Sequence, residues 1–291
     1  MAEPTAAASD RARAFLKAHR KSFRNAGIGG IAAAVVFLIV YYLGLEGVYD
    51  LSLAARILPA LFQGAETTLG LVAVVIPVGF ALGFLFGFGR TSHSWFVRSV
   101  CTTYVEFFRG MPPVVLVWFA FIIIILLITN VEFLNVRIQD PFAFATFMSV
   151  LALAAHSGSY QAEIVRAGIM SVPAGQREAA EAIGMTRGAT MVRITLPQML
   201  RVSLPALGNE FASVIKDTSI LSVVGVMDLT FRGQNIVSRL FTSPTGGSLS
   251  SIFVVWVEIA VLYFVMTYSV SRLLQWLEQR YRVPGLEAAQ L

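Results

Sequence analysis

Apolar runs of bilayer length recur six times along this chain of 291 residues, at about 27–45, 66–89, 102–128, 142–170, 203–226 and 251–276. Roughly twenty apolar residues in helical form cross the hydrocarbon of a membrane. No water is available there to pair with backbone amides and carbonyls, so a spanning segment must satisfy its own hydrogen bonds, as a helix does. The pattern predicts an all-α polytopic membrane protein. Only 13% of the residues are charged and 56% are hydrophobic. That is roughly half the charge of a soluble domain, and six spans leave no room for a sizeable one. The fourth and fifth runs are interrupted by polar residues. The first follows a basic segment with no small-residue cleavage pattern after it, and reads as a retained span rather than a signal peptide.

The net charge of +5 is unevenly distributed. With the N-terminus inside, the cytoplasmic side receives Arg11, Arg13, Lys17, Arg20, Lys21 and Arg24 of the tail, then Arg90 and Arg98. It also receives Arg166, Arg177, Arg187, Arg193 and Arg201, and finally Arg272, Arg280 and Arg282. Outer segments hold only Arg56, Arg137, Arg232 and Arg239. The positive-inside rule thus predicts cytoplasmic N- and C-termini. Residues 1–26 read as a solvated basic tail lying against anionic membrane lipid. Leu240 to Ser251, with Pro244, Gly246 and Gly247, reads as an outer loop.

The same topology places one polar segment, EAAEAIGMTRGATMVRITLP from Glu178 to Pro197, inside the cell. Pro173 suits the first turn of a helix, where a missing N–H costs nothing. Glu178 to Ala182 are good helix formers, and Gly184 predicts a stop. Met185, Ala189, Val192 and Leu196 then share one helical stripe, with Arg187 and Arg193 off it and Pro197 ending the run. Two short helices about a glycine turn make a compact knob able to dock into another protein.

Polar groups inside lipid are expensive and face a pathway or one another. The fourth span carries Ser157 to Glu163, SGSYQAE. Glu163 is a candidate pathway or ligand group there, with pairing to Arg166 as the alternative. In the fifth span Asn209, Ser213 and Lys216 share a face, and Glu210 and Asp217 lie on the adjacent stripe. Lys216 is roughly 20 Å along the helix from Ser203 at 1.5 Å per residue, past mid-depth. A Lys216–Asp217 pair there could neutralise itself. It could instead complement a zwitterion, with Thr218 and Ser219 adding hydroxyls. Gly79, Gly83 and Gly87 form a small-xxx-small stripe, fitting either close packing within the chain or a dimer seam.

Other chemistries find no support in the residues. His19, His93 and His156 have no companions at metal-ligand spacing, and Cys101, the one cysteine, reads as a packing residue. There is no P-loop, so any ATP would be hydrolysed by a partner rather than by this chain. Neither a nucleophile elbow nor a zincin motif is present. The phenylalanines suit lipid and packing better than base stacking, which argues against nucleic acid.

Glu178-Ala179-Ala180, Gly184, Ile194 and Leu196-Pro197 stand at the intervals EAA-x3-G-x9-I-x-LP, and this resembles the coupling loop of bacterial ABC-importer permeases. Further along the chain occur Thr67-Thr68-Leu69, Val105 to Pro112 (VEFFRGMP), Ser157 to Gly168 (SGSYQAEIVRAG), and Asn209-Glu210-Phe211 leading to Lys216-Asp217-Thr218-Ser219. Together these resemble the polar amino-acid uptake permeases, the type I importers that include histidine, glutamine and arginine systems. The likeness runs from about Gln63 to the C-terminus.

That resemblance implies a five-span permease core over 61–282, including the coupling loop 173–197. An additional helix and outer loop at 27–60 would precede it, and a cytoplasmic tail at 283–291 would follow. It implies no cofactor in this chain, with ATP and Mg held by a dimer of ATP-binding subunits gripped through the loop. It also implies a second permease subunit (identical or paralogous), an external amino-acid-binding protein, and alternating access in a bacterial or archaeal cytoplasmic membrane. Substrate would meet Glu163, Asn209, Ser213, Lys216, Asp217 and Thr218. Met111 stands where the family often has Thr, and Arg109 is expected to be structural. Two rival readings remain: an ion-coupled secondary amino-acid transporter with Glu163 and Lys216–Asp217 as its coupling site, and a membrane-embedded enzyme or scaffold.

Overall fold

A computed structural model describes residues 49–130, 140–242 and 247–281, together with Val35, Leu38 and Tyr42. The basic tail 1–26, nearly all of the first apolar run, Arg137, the tip of the outer loop with Pro244 and Gly246, and the tail 283–291 lie outside the described residues. Every regular element among the described residues is helical: α1 (Leu51–Gly89), α2 (Trp95–Gly110), α3 (Pro113–Asn130), α4 (Pro141–Ser171), α5 (Ala174–Ala182) and α6 (Arg187–Thr190). A π turn over Met191–Thr195 leads into α7 (Leu196–Asp217), then a 3-10 segment (Thr218–Val224), α8 (Leu229–Thr242) and α9 (Leu249–Tyr281). Of these, α1, α4 and α9 are long and apolar enough to cross a bilayer. The bent pair α2–α3 makes a fourth if taken as one span. Helix α7, over the expected fifth span, carries Arg201, Glu210, Lys216 and Asp217 and is not apolar enough by that measure.

The second span starts earlier than hydropathy places it. Asp50 caps α1, its carboxylate accepting from the amides of Ser52 at 2.8 Å and Leu53 at 3.1 Å. Leu53, Ala54, Ile57 and Leu61 are buried in a cluster with Leu229 of α8 and Val254, Val255 and Ile259 of α9. Burial of that stripe continues the helix beyond what a bilayer requires, giving 39 residues. Asp228 immediately precedes α8, and its carboxylate accepts from the amide of Phe231 at 2.8 Å and from the Tyr263 hydroxyl at 3.3 Å. Burial pushes that carboxyl up to about 6, against the pull of the Phe231 amide.

The third span is not one helix over 102–128. Helices α2 and α3 meet at a 104° bend. Pro112 and Pro113 supply no N–H to the carbonyls four residues back, and Met111 is extended (φ −107°, ψ 139°), as a residue before proline tends to be. Pro197 likewise does not end the helix that precedes it. The backbone widens to a π turn at Met191–Thr195, with the Leu196 amide reaching the Met191 carbonyl five residues back, and the chain runs on as α7. The π turn accommodates a proline that an unbroken α-helix would have to exclude.

The glycine stripe packs within the chain. Gly79, Gly83 and Gly87 of α1 lie on Gln161, Ala162 and Val165 of α4 and leave no gap for a side chain. A Cβ added at Gly83 would stand 2.6 Å from Gln161 Cβ and 3.1 Å from the Ala162 amide nitrogen. Part of that clash is with backbone, which cannot swing aside. Gly83→Ala is therefore expected to destabilise the protein by about 1–3 kcal/mol. Gly70, around which nothing lies within 4 Å, should accept Ala without loss. Thermal unfolding in detergent checks the pair, and equal melting temperatures for the two variants would contradict this seam.

Candidate functional site

The polar segment after α4 folds as a projecting knob. Pro173 sits at the N-cap of α5, and Ala180 faces inward at 2% exposure, while Glu178, Ala179 and Gly184 are exposed. The stop at Gly184 has a clear cause: its φ is +84°, a conformation that side chains disfavour. Its amide donates to Glu181 O at 3.0 Å and that of Met185 to Ala180 O at 3.0 Å, which closes the last carbonyls of α5 in a Schellman arrangement. Thr186 then caps α6, accepting from the Ala189 amide at 3.3 Å.

The expected apolar stripe is shifted by the π turn. Thr190 and Thr195 are buried, Met185, Ala189, Ile194, Leu196 and Pro197 are half-buried, and Val192 turns outward. Met191 and Leu196 pack against Val165, Ile169 and Met199 at the base of the knob. Ile183 and Val192 remain 78% and 62% exposed on an otherwise polar surface.

A charge cluster lies at the same end of the bundle. Glu163 Oε1 pairs with Arg166 Nη2 at 2.5 Å and Oε2 with Arg90 Nη1 at 2.6 Å. Arg90 also approaches Glu106 of α2 at 3.5 Å, and Arg109 lies over the Tyr160 ring at 5.1 Å. The ends of α1, α2 and α4 thus meet in one cluster, with two guanidinium groups on the Glu163 carboxylate. Glu163 forms the pairing with Arg166 that the sequence offered as the alternative to a ligand role, and Arg90 completes it.

The remaining candidates on α7 divide between two faces. Toward α4, the Ser157 hydroxyl donates to Glu210 Oε1 at 2.8 Å and receives the Gln161 amide at 2.9 Å. Asp217, two turns on, interacts with the Ser213 hydroxyl and lies within electrostatic range of His156 and Lys216. Lys216 itself is turned to the exposed side and forms no ion pair with Asp217. Asn209 faces α9 instead, lining a hollow of about 210 Å³ with Gly208, Ser271, Gln275 and Glu278. Thr218 is fully buried and its hydroxyl is committed to Ile215 O at 2.8 Å.

The structure therefore brings together Ser213 and Asp217, with Glu210 beside them, and separates them from Glu163, Asn209 and Thr218. Sequence reasoning treated Arg90 as a topological charge and His156 as an isolated histidine. Their partners are 73 and 48 residues away, a pairing that helical periodicity does not encode. Among the described residues no group of three or more His, Cys, Asp or Glu side chains could hold a metal ion.

Residues 75–283 match the model of the family described as binding-protein-dependent transport system inner membrane component. The glutamine transport system permease protein GlnP of Escherichia coli (strain K12) is 35% identical over 235 residues, covering 81% of this chain and 99% of that protein. The L-cystine transport system permease protein TcyB of Bacillus subtilis (strain 168) is 35% identical over 222 residues, 76% of this chain and 86% of the other. A crystal structure of an amino acid ABC transporter with histidines superposes with a TM-score of 0.63 at 34% identity, covering 79% of this chain and 98% of that one. The bent α2–α3 pair, the glycine-turned knob and the bundle that carries them thus sit within a known lineage, and the chain belongs to the family of binding-protein-dependent transport system inner membrane components.

Proposed function

We propose that this chain is the transmembrane permease subunit of an ATP-driven importer for polar amino acids. The observation that carries the reading is the knob: a helix–glycine–helix projection that passes through the π turn directly into α7. It bears two exposed apolar side chains, Ile183 and Val192, of the kind a protein partner covers. The relatives named for glutamine and cystine transport support amino acids as the cargo class.

On this reading a dimer of ATP-binding subunits, holding ATP and Mg, grips the Glu178–Pro197 knob from the cytoplasm. A second permease copy or paralogue completes the pathway, and an external binding protein delivers the substrate. Arginine placement supports cytoplasmic termini. Closure of the ATPases pushes the knob, and the push travels along α7 because the π turn keeps the helix continuous through Pro197. The substrate's ammonium meets the α4–α7 seam at Asp217 and Glu210, with Ser213 as a hydroxyl partner and Lys216 available for the carboxylate. Glu163 then serves as the clasp of the inner end, Thr218 as a packing group, and Asn209 as part of the α7–α9 face.

Reconstitution with the ATPase and binding protein tests the coupling. Gly184→Pro imposes a φ near −65° on a residue held at +84°, and Glu178→Lys reverses a charge on the exposed face of α5. Either change should insert normally yet lower substrate-stimulated ATP hydrolysis at least about tenfold. Normal stimulation in both, or uptake driven by a proton or sodium gradient without ATP, defeats the proposal.

Substrate contact separates from structural support in a second comparison. Asp217→Asn should weaken substrate affinity by about ten- to a hundredfold, the effect of removing one charge-assisted contact. Glu163→Gln should instead lower the melting temperature while leaving affinity within a few-fold. Affinity measured on the purified complex decides, and the reverse assignment of effects would move the binding site to the Glu163 end.

A further inference from the structure

The break between α2 and α3 strands two carbonyls. Phe108 and Arg109 stand four residues before Pro112 and Pro113, which have no N–H to return. The Phe108 carbonyl nevertheless has a partner, and it comes from another helix: Nδ1 of His156, on α4, lies 2.9 Å away. A carbonyl can only accept, so Nδ1 carries the proton and donates it. The imidazole is 7% exposed and set against the Tyr160 ring at 5.2 Å between centroids. One residue earlier, the Ala155 carbonyl accepts from the Tyr104 hydroxyl of α2 at 2.8 Å. Two hydrogen bonds in opposite directions therefore fasten the end of α2 to one turn of α4. The next residue of α4, Ser157, donates its hydroxyl to Glu210 Oε1 of α7 at 2.8 Å.

We propose that His156 is a positioning residue of the transport cycle. It stands in for the missing N–H of Pro112, so that the bend between α2 and α3 is fixed to α4 instead of being free to flex. Its consequence for transport rests on the permease reading above. With the bend fixed to α4 by His156, and α4 joined to α7 through Ser157 and Glu210, displacement of α7 reaches the broken span through one turn of α4.

The test uses the full complex with its ATPase and binding protein, carrying Cys101→Ser, with nitroxides at Val100 of α2 and Ile122 of α3. Both positions are about half exposed and accept a label (49% and 45%). The native chain should give one narrow distance distribution. His156→Leu should broaden it and lower uptake about tenfold, the loss expected when a buried carbonyl is left unpaired. His156→Asn should keep both close to native, because the carboxamide Nδ2 takes the place of Nδ1.

The decisive variant adds Pro112→Ala to His156→Leu. Residue 112 then has an amide for Phe108, while Pro113 still ends the helix, so the narrow distribution and most of the uptake should return. If His156→Leu alone fails to assemble, the double variant should assemble. An unchanged distribution in assembled His156→Leu overturns the inference, as does failure of Pro112→Ala to restore the distribution or the assembly. The distance measurement needs neither ATP nor amino acid. Failure of the importer reading would therefore leave it interpretable, and loss of uptake without broadening would count against His156 alone.

Discussion

Each place where a helix stops or deforms inside this bundle must find partners for backbone groups that water cannot reach, and that requirement shapes the fold. An unpaired amide or carbonyl in hydrocarbon is costly enough that spanning structures consist of helices or closed barrels. This chain nonetheless interrupts its helices repeatedly. Each interruption is closed by a different device. At Pro112 a histidine of another helix supplies the donor, and at Pro197 the ladder widens to a π turn. Outside the bundle, on the exposed knob, the left-handed Gly184 uses the same economy and folds two amides back onto the end of α5. At Thr218 the helix tightens to a 3-10 segment, with the Thr218 hydroxyl on Ile215 O, and ends on a left-handed Gly225.

Charge obeys a parallel rule. Glu163 would be untenable against lipid alone, and it is met by two guanidinium groups, one from its own helix and one from the end of α1. Breaking a pair of this kind by removing one member leaves an uncompensated charge, which costs more than the pair itself contributes. The glycine seam makes the cluster possible. With Gly83 and Gly87 flat against α4, the end of α1 comes close enough for Arg90 to reach Glu163. Close packing and ion pairing are therefore one feature of the α1–α4 contact.

Local features of the sequence carried a good deal of this. The all-helical class follows from apolar runs alone, and the glycine stop at 184 follows from one residue type between two periodic segments. The resemblance carried by EAA, Gly184 and Leu196-Pro197 pointed to the family. What stayed hidden depends on geometry between distant residues. The stretch 102–128 reads as one apolar run, because hydropathy is blind to the two prolines that turn it by 104°. Pro197 reads as a terminator, because the option of a wider helical turn has no compositional mark. Asn209 and Glu210 looked like neighbouring stripes of one site, yet adjacent residues on a helix point about 100° apart. Packing chose to set Glu210 against α4 and to turn Asn209 toward α9.

The division of polar groups also says where selectivity can reside. A carboxylate already held by two arginines has little left to offer a ligand, because binding there must first break those contacts. Asp217 and Glu210 are held differently, through hydroxyls from Ser213 and Ser157. Such hydrogen bonds orient a carboxylate without pairing it to a guanidinium, and on the permease reading it stays open to a substrate ammonium. Both acids lie on α7, the helix that the π turn joins to the knob. On the permease reading, the groups that hold the amino acid therefore ride on the element the ATPase moves. A small rotation of α7 would change their presentation to the substrate, while the Glu163 cluster stays closed.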